Sequence, residues 1–154
     1  MNQGSNRYKI ARTFGAASQS YDISARLQRY SGKHLMNWLP QTQDLTVLDL
    51  GSGTGFFTDI LASRYKRVVG LDISTKMLNY AKSHRDKKIQ WIEADAFNMP
   101  LESESVDLIY SNLVIQWFDP LNKAFDEKLR VLKPGGLFIF STLVEGTLYE
   151  LKSS

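Results

Sequence analysis

A doubly wound α/β fold with a mainly parallel sheet is predicted for this sequence by two features. Short apolar runs alternate along the chain with segments of helical period. The first of those runs, Val47-Leu48-Asp49-Leu50, also passes directly into the glycine turn Gly51-Ser52-Gly53-Thr54-Gly55. With 154 residues, 43% hydrophobic and 23% charged, the chain has the composition of one ordinary globular core. A single domain over 1–154 is therefore expected, with a helical arm over 1–40 and a Rossmann-like core over 41–154.

The elements follow in order. Tyr8 to Phe14 reads as a short helix and Gly15-Ala16-Ala17-Ser18-Gln19-Ser20 as a connector able to hinge. Ile23, Leu27, Tyr30, His34/Leu35 and Trp38 recur at helical spacing, which predicts a helix from Ile23 to Leu39, capped by Asp22 and stopped by Pro40. A strand from Thr46 to Leu50 leads through the glycine turn into a helix from Phe56 to Tyr65. Arg67 to Asp72 is a second strand, and Ser74 caps a helix from Thr75 to about Arg85. Strands at Ile89–Glu93 and Val106–Tyr110 precede a helix from Leu121 to Leu132, which Lys133-Pro134-Gly135-Gly136 ends; a fifth strand spans Leu137 to Thr142.

Charge is unevenly spread. Residues 1–40 carry a net +5 and the remainder −2, a basic arm suited to an acidic partner, whether nucleic acid or protein. There is no apolar run of membrane-spanning length and no signal-peptide core, so a cytoplasmic protein is expected. Cysteine is absent and His34 and His84 are the only histidines, so no metal centre is expected.

In a doubly wound sheet, ligands lie outside the carboxyl ends of the strands. The residues gathered there are Asp49 to Gly55, Asp72-Ile73, Asp95-Ala96-Phe97 and Ser111 to Trp117. Asp72 suits the two hydroxyls of a ribose, Asp95-Ala96 an adenine amino group, and Ile73 and Met77 the faces of the ring. Asp72 serves equally as a cap of the next helix, and Asp95 as the start of a loop. Nicotinamide and flavin dinucleotides favour Gly-x-Gly-x-x-Gly with the pyrophosphate on a helix N-terminus. Here the spacing is Gly-x-Gly-x-Gly, and Asp49 would repel a pyrophosphate but attract a ligand carrying an ammonium and a sulfonium. S-adenosylmethionine carries both.

Four motifs, Val47 to Gly55, Val69-Gly70-Leu71-Asp72-Ile73-Ser74, Glu93-Ala94-Asp95-Ala96 and Leu132-Lys133-Pro134-Gly135-Gly136, together resemble the class I, Rossmann-like S-adenosylmethionine-dependent methyltransferases. Ile10-Ala11-Arg12-Thr13-Phe14-Gly15-Ala16-Ala17, Tyr21-Asp22, Leu27-Gln28-Arg29, Tyr110 to Trp117 and Phe140 to Leu151 narrow the resemblance to the malonyl-acyl carrier protein O-methyltransferases of biotin synthesis. That resemblance implies S-adenosylmethionine held by Asp49, Gly51, Ser52, Gly53, Gly55, Asp72, Ile73, Met77, Asp95, Ala96, Asn112 and Leu113. It also implies methyl transfer to the carboxyl of a malonyl thioester on an acidic acyl carrier protein. Gln116 and Trp117 are the candidate donors to that carboxylate, Tyr21 a candidate for closing over the site, and Arg12 a contact to the cofactor carboxylate or to the carrier.

The family's pattern continues past the fifth strand with a helix and an antiparallel hairpin. This chain stops at Ser154, so a sheet truncated after the fifth strand, with Leu137-Phe138-Ile139-Phe140 at its edge, is expected to pair with a second copy. Other readings are a methyltransferase for a small metabolite or an RNA, and a non-catalytic S-adenosylmethionine-binding module. The basic residues are not interleaved with an aromatic stacking surface, which argues against nucleic acid, and with no apolar run of spanning length no membrane partner is expected.

Overall fold

Alternation of helix and strand runs through the whole of the computed structural model, which describes residues 18–146, with side chains from residue 25 onward. The elements are α1 (Ser18–Met36), β1 (Thr46–Leu50), α2 (Phe56–Arg64), β2 (Arg67–Asp72), α3 (Thr75–His84), β3 (Gln90–Glu93), β4 (Val106–Asn112), a 3₁₀ turn (Ile115–Trp117), α4 (Leu121–Val131) and β5 (Leu132–Ser141). The strands form one five-stranded parallel sheet in the order β3-β2-β1-β4-β5. Chain order reverses between β1 and β4, so a crevice opens outside the carboxyl ends of those two strands.

Side chains alternate across the sheet as strand geometry requires. Val47 packs on one face with Leu35, Met36, Leu39, Phe57, Leu61, Leu108 and Tyr110. Leu48 and Leu50 pack on the other with Val69, Leu71, Met99, Ile109, Val131 and Leu132. No helix among the described residues is long and apolar enough to cross a membrane.

The start of the chain departs from the prediction. Helix α1 begins at Ser18, so Ser18-Gln19-Ser20 are helical rather than connector and Asp22 lies inside the helix instead of capping it. Neither glycine nor proline interrupts residues 16–23, and nothing local stops the helix extending backwards. Its buried face is also rotated from the predicted stripe. Tyr30 and Trp38 are 66% and 78% exposed, while Gly32, Leu35, Met36 and Leu39 turn inward. Gly32 sets that rotation, because the Phe57 ring occupies the space a Cβ would take. The helix closes at Met36 through a tightened turn, with Asn37, Trp38 and Leu39 donating to the carbonyls three residues back.

Two strands are longer than predicted. β4 runs on to Asn112 because Ser111 and Asn112 keep pairing with Phe140 and Ser141. β5 begins at Leu132, its register to β4 shifting between Val106 and Leu108 where Lys133 to Gly136 bulge outward. Among the described residues β5 is hydrogen-bonded in the sheet to β4 alone, and its Leu137 and Phe140 are 46% and 37% exposed.

Candidate functional site

The turn after β1 is held from below. Gly51 and Ser52 donate to the Leu71 carbonyl at 2.8 and 3.0 Å, Gly53 to Asp72 Oδ2 at 2.8 Å and Gly55 to the Ser52 carbonyl at 2.9 Å. Four of the turn's N–H groups are thus spent inside the protein, which leaves them unable to cradle a pyrophosphate. At Gly53 the backbone takes φ 54° and faces open space, so a ligand can approach the main chain there. Gly55 instead starts α2 at φ 76°, and a Cβ there would meet Trp91.

Asp49 sits beneath the turn at 3% exposure and accepts from Thr58 Oγ1 at 2.5 Å. Burial raises its carboxyl to about 7, the Thr58 hydrogen bond opposes the rise and the charge of Asp72 adds to it. Asp72, at the end of β2, receives Gly53 N–H on Oδ2 and Ser74 N–H on Oδ1, each at 2.8 Å. Burial lifts its pKa, and the N–H groups of Ser74, Gly53 and Ile73 pull it back. Each oxygen keeps acceptor capacity for a hydroxyl. Asp72 thus holds the turn into α3, whose N-cap Ser74 accepts from Met77 N–H, and still lines the cavity.

Asp95 starts the loop after β3, its Oδ1 accepting from Phe97 N–H at 3.0 Å and its carbonyl from Asn98 N–H at 2.9 Å. A cavity of about 800 Å³ brings together Asp49, Gly51, Ser52, Gly53, Asp72, Ile73, Met77, Asp95, Ala96, Asn112, Leu113 and Trp117. Ser52 Oγ is buried there with no hydrogen-bond partner among the described residues, a polar atom that a ligand-bearing site can satisfy.

Two predicted site residues stand elsewhere. Gly55 packs against Trp91 of β3 and Ala81 of α3 and does not line the cavity. Gln116 lies behind it, donating Nε2 to the Leu113 carbonyl at 2.7 Å and accepting on Oε1 from Thr142 at 3.4 Å, because the 3₁₀ turn rotates it towards β5. Tyr21 belongs to α1, but its side chain lies outside the described residues, as does all of Arg12. Trp117, by contrast, is 41% exposed on the cavity wall, not a core residue beneath the next helix.

A model of the family described as "Methyltransferase domain" matches residues 48–140, which contain the glycine turn, all three cavity aspartates and the first four residues of the Leu137-to-Thr142 segment. The chain belongs to this methyltransferase-domain family. It is 46% identical over 96% of its length to the biotin biosynthesis bifunctional protein BioHC of Cellvibrio japonicus, covering 30% of that protein. It is 41% identical over 97% of its length to the malonyl-acyl-carrier protein O-methyltransferase of Pectobacterium atrosepticum, covering 58% of it. The crystal structure of an S-adenosylmethionine-dependent methyltransferase from Mesorhizobium loti superposes with a TM-score of 0.66 at 35% identity, covering 71% of this chain and 52% of that one. The chain thus spans from under a third to about three fifths of the length of these relatives.

Several contacts around the site are invisible to motif reading. The Phe56 ring lies beneath the guanidinium of Arg29 from α1, 5.2 Å from its centroid, and near that of Arg85 at 6.0 Å. Arg85 also donates Nε to the Thr54 carbonyl at 3.0 Å, bracing the turn from the end of α3. Asn112 donates Nδ2 to the Gln28 carbonyl at 2.8 Å and accepts from Ser141 Oγ at 2.7 Å, joining α1 and β5 at the cavity wall. All of these contacts cross more than 25 residues of sequence, so no local pattern announces them.

Proposed function

We propose that this chain is the cofactor-binding part of an S-adenosylmethionine-dependent O-methyltransferase acting on the free carboxyl of malonyl-acyl carrier protein in biotin synthesis. The observation that carries the reading is the cavity itself, in which three aspartates surround a turn whose own N–H groups are already used. That set suits a cationic adenosyl ligand and disfavours a dinucleotide. The acceptor is inferred from the 36–46% identity, over almost all of this chain, to proteins named for malonyl-acyl-carrier protein methylation or biotin biosynthesis.

Asp72 would hold the ribose hydroxyls, Asp95 and Ala96 the adenine edge, Ile73 and Met77 its faces, and Asp49 the ammonium end, with Gly51, Ser52, Gly53, Asn112 and Leu113 forming the walls. S-adenosylmethionine supplies a methyl group on a sulfonium that departs as a neutral thioether. A carboxylate acceptor is already ionised near neutral pH, so these residues need only align it and exclude water. Trp117, on the cavity wall, is the donor proposed for the acceptor carboxylate.

The basic arm supports the partner. Arg26, Arg29 and Lys33 project from one side of α1, and Ala25, Gln28 and Arg29 of the same helix line the cavity, so an acidic carrier docked there would deliver its thioester to the site. The apolar edge of β5 supports pairing of two copies.

The decisive experiment is transfer of a radiolabelled methyl group from S-adenosylmethionine to malonyl-acyl carrier protein. Label appearing on the carrier as a base-labile ester, and falling at least about tenfold in Trp117→Phe, is expected when a charge-assisted hydrogen bond is lost. Cofactor binding with no label on any malonyl carrier would refute the acceptor and leave a binding module.

A further inference from the structure

We propose that Lys128 is a positioning residue for adenine recognition, acting on Asp95 through the single peptide group between Ala96 and Phe97. The proposal rests on the reading of Asp95 as the acceptor for the adenine amino group.

Lys128 lies on α4 at 1% exposure and is absent from the cavity wall. Its Nζ donates to the Ala96 carbonyl at 2.6 Å and stands 4.5 Å from the Phe118 ring centroid and 5.5 Å from that of Phe97. Those two rings meet edge to face at 5.5 Å, enclosing the ammonium with the carbonyl. Burying a cation is costly, and an apolar side chain of similar volume usually fills such a place at no loss of stability. Core packing alone therefore does not account for a lysine here.

What the lysine holds does account for it. The Ala96 carbonyl and the Phe97 N–H are the two ends of one planar peptide, and the Phe97 N–H donates to Asp95 Oδ1 at 3.0 Å. A positive charge on the carbonyl end fixes the plane of that peptide and strengthens its N–H as a donor. The relay runs from the Lys128 ammonium through the peptide to the Asp95 carboxylate, setting the direction in which Asp95 presents itself to the cavity. Asp95, Ala96 and Phe118 all line that cavity, so the relay ends at the ligand's own wall. The neighbours of Lys128 on α4 brace a different part of the loop: Glu127 accepts from Met99 N–H at 2.7 Å, and Arg130 donates to the carbonyls of Met99 and Leu101 at 3.0 and 2.8 Å.

The test compares binding of S-adenosylhomocysteine with S-inosylhomocysteine, which carries a carbonyl where adenine has its amino group, by calorimetry. Wild type, Lys128→Met, Asp95→Ala and the double variant are measured, with thermal unfolding of each. Wild type should prefer the adenosyl ligand by about tenfold, the worth of one good hydrogen bond. Lys128→Met should lose most of that preference, and the double variant should prefer the adenosyl ligand no less than Asp95→Ala does, as expected for two residues acting in series. Should Lys128→Met fail to fold, Lys128→Gln, too short to reach the Ala96 carbonyl, takes its place. A lysine variant that keeps the wild-type preference overturns the proposal whatever its affinity or melting temperature. A wild-type protein that binds both ligands equally overturns the reading of Asp95 on which it stands.

Discussion

Asp49 is a carboxyl held near neutrality beneath a site that we assign to a cation, and its titration has two consequences of opposite use. Its folded pKa of about 7 lies above the ordinary 3.8, so between those values the folded state binds more protons than the unfolded chain. The unliganded protein therefore loses stability as pH rises through that window, and Asp49→Asn should melt at a higher temperature than wild type at pH 8. Binding a cation favours the ionised form, so S-adenosylmethionine affinity should strengthen as pH climbs through about 7. Calorimetry from pH 6 to 8.5 checks this, with Asp49→Asn, which retains any titration of the ligand, lacking the rise. The residue is legible in the sequence because a carboxylate before a glycine turn is a local pattern. Gln116 misleads because its direction depends on a 3₁₀ turn and on Thr142, 26 residues away.

At the scale of elements, β1, β2 and the start of α3 lie where the sequence predicts them, since short apolar runs, a terminal aspartate and a serine cap are all local signals. Helix α1 is legible as a helix but not in its orientation. Glycine carries no hydrophobic weight in a periodic pattern, yet Gly32 is the point of closest approach, under the Phe57 ring and accepting at its carbonyl from Tyr110 OH at 3.2 Å. Gly32→Ala should cost about 1–3 kcal/mol through overpacking. Urea denaturation should show a lower midpoint with an unchanged m-value, because the exposed surface of the unfolded chain stays the same. The extension of β5 back to Leu132 is hidden by the bulge, whose proline and glycines read as a simple stop.

For the molecule as a whole, the alternation of helix and strand makes the parallel sheet legible, while the order β3-β2-β1-β4-β5 is set by pairing between strands far apart in sequence. Among the described residues β5 pairs with β4 alone, and the pairing of two copies proposed above would use its other edge. Sedimentation at micromolar concentration should find a dimer of this chain, and Phe140→Lys, a charge at the edge, should return it to monomer. The loop that carries Asp95 has a further consequence. Residues 96–101 take no regular strand or helix, and they are held by Glu127, Lys128 and Arg130, side chains from a single helix about 30 positions downstream. As the chain leaves the ribosome, the glycine turn, Asp72 and Asp95 emerge first, but the Asp95 end of the cavity has no fixed wall until α4 has been synthesised and docked. The pocket is therefore completed only once α4 has docked, and a nascent chain halted before α4 would carry every cavity aspartate without a finished pocket.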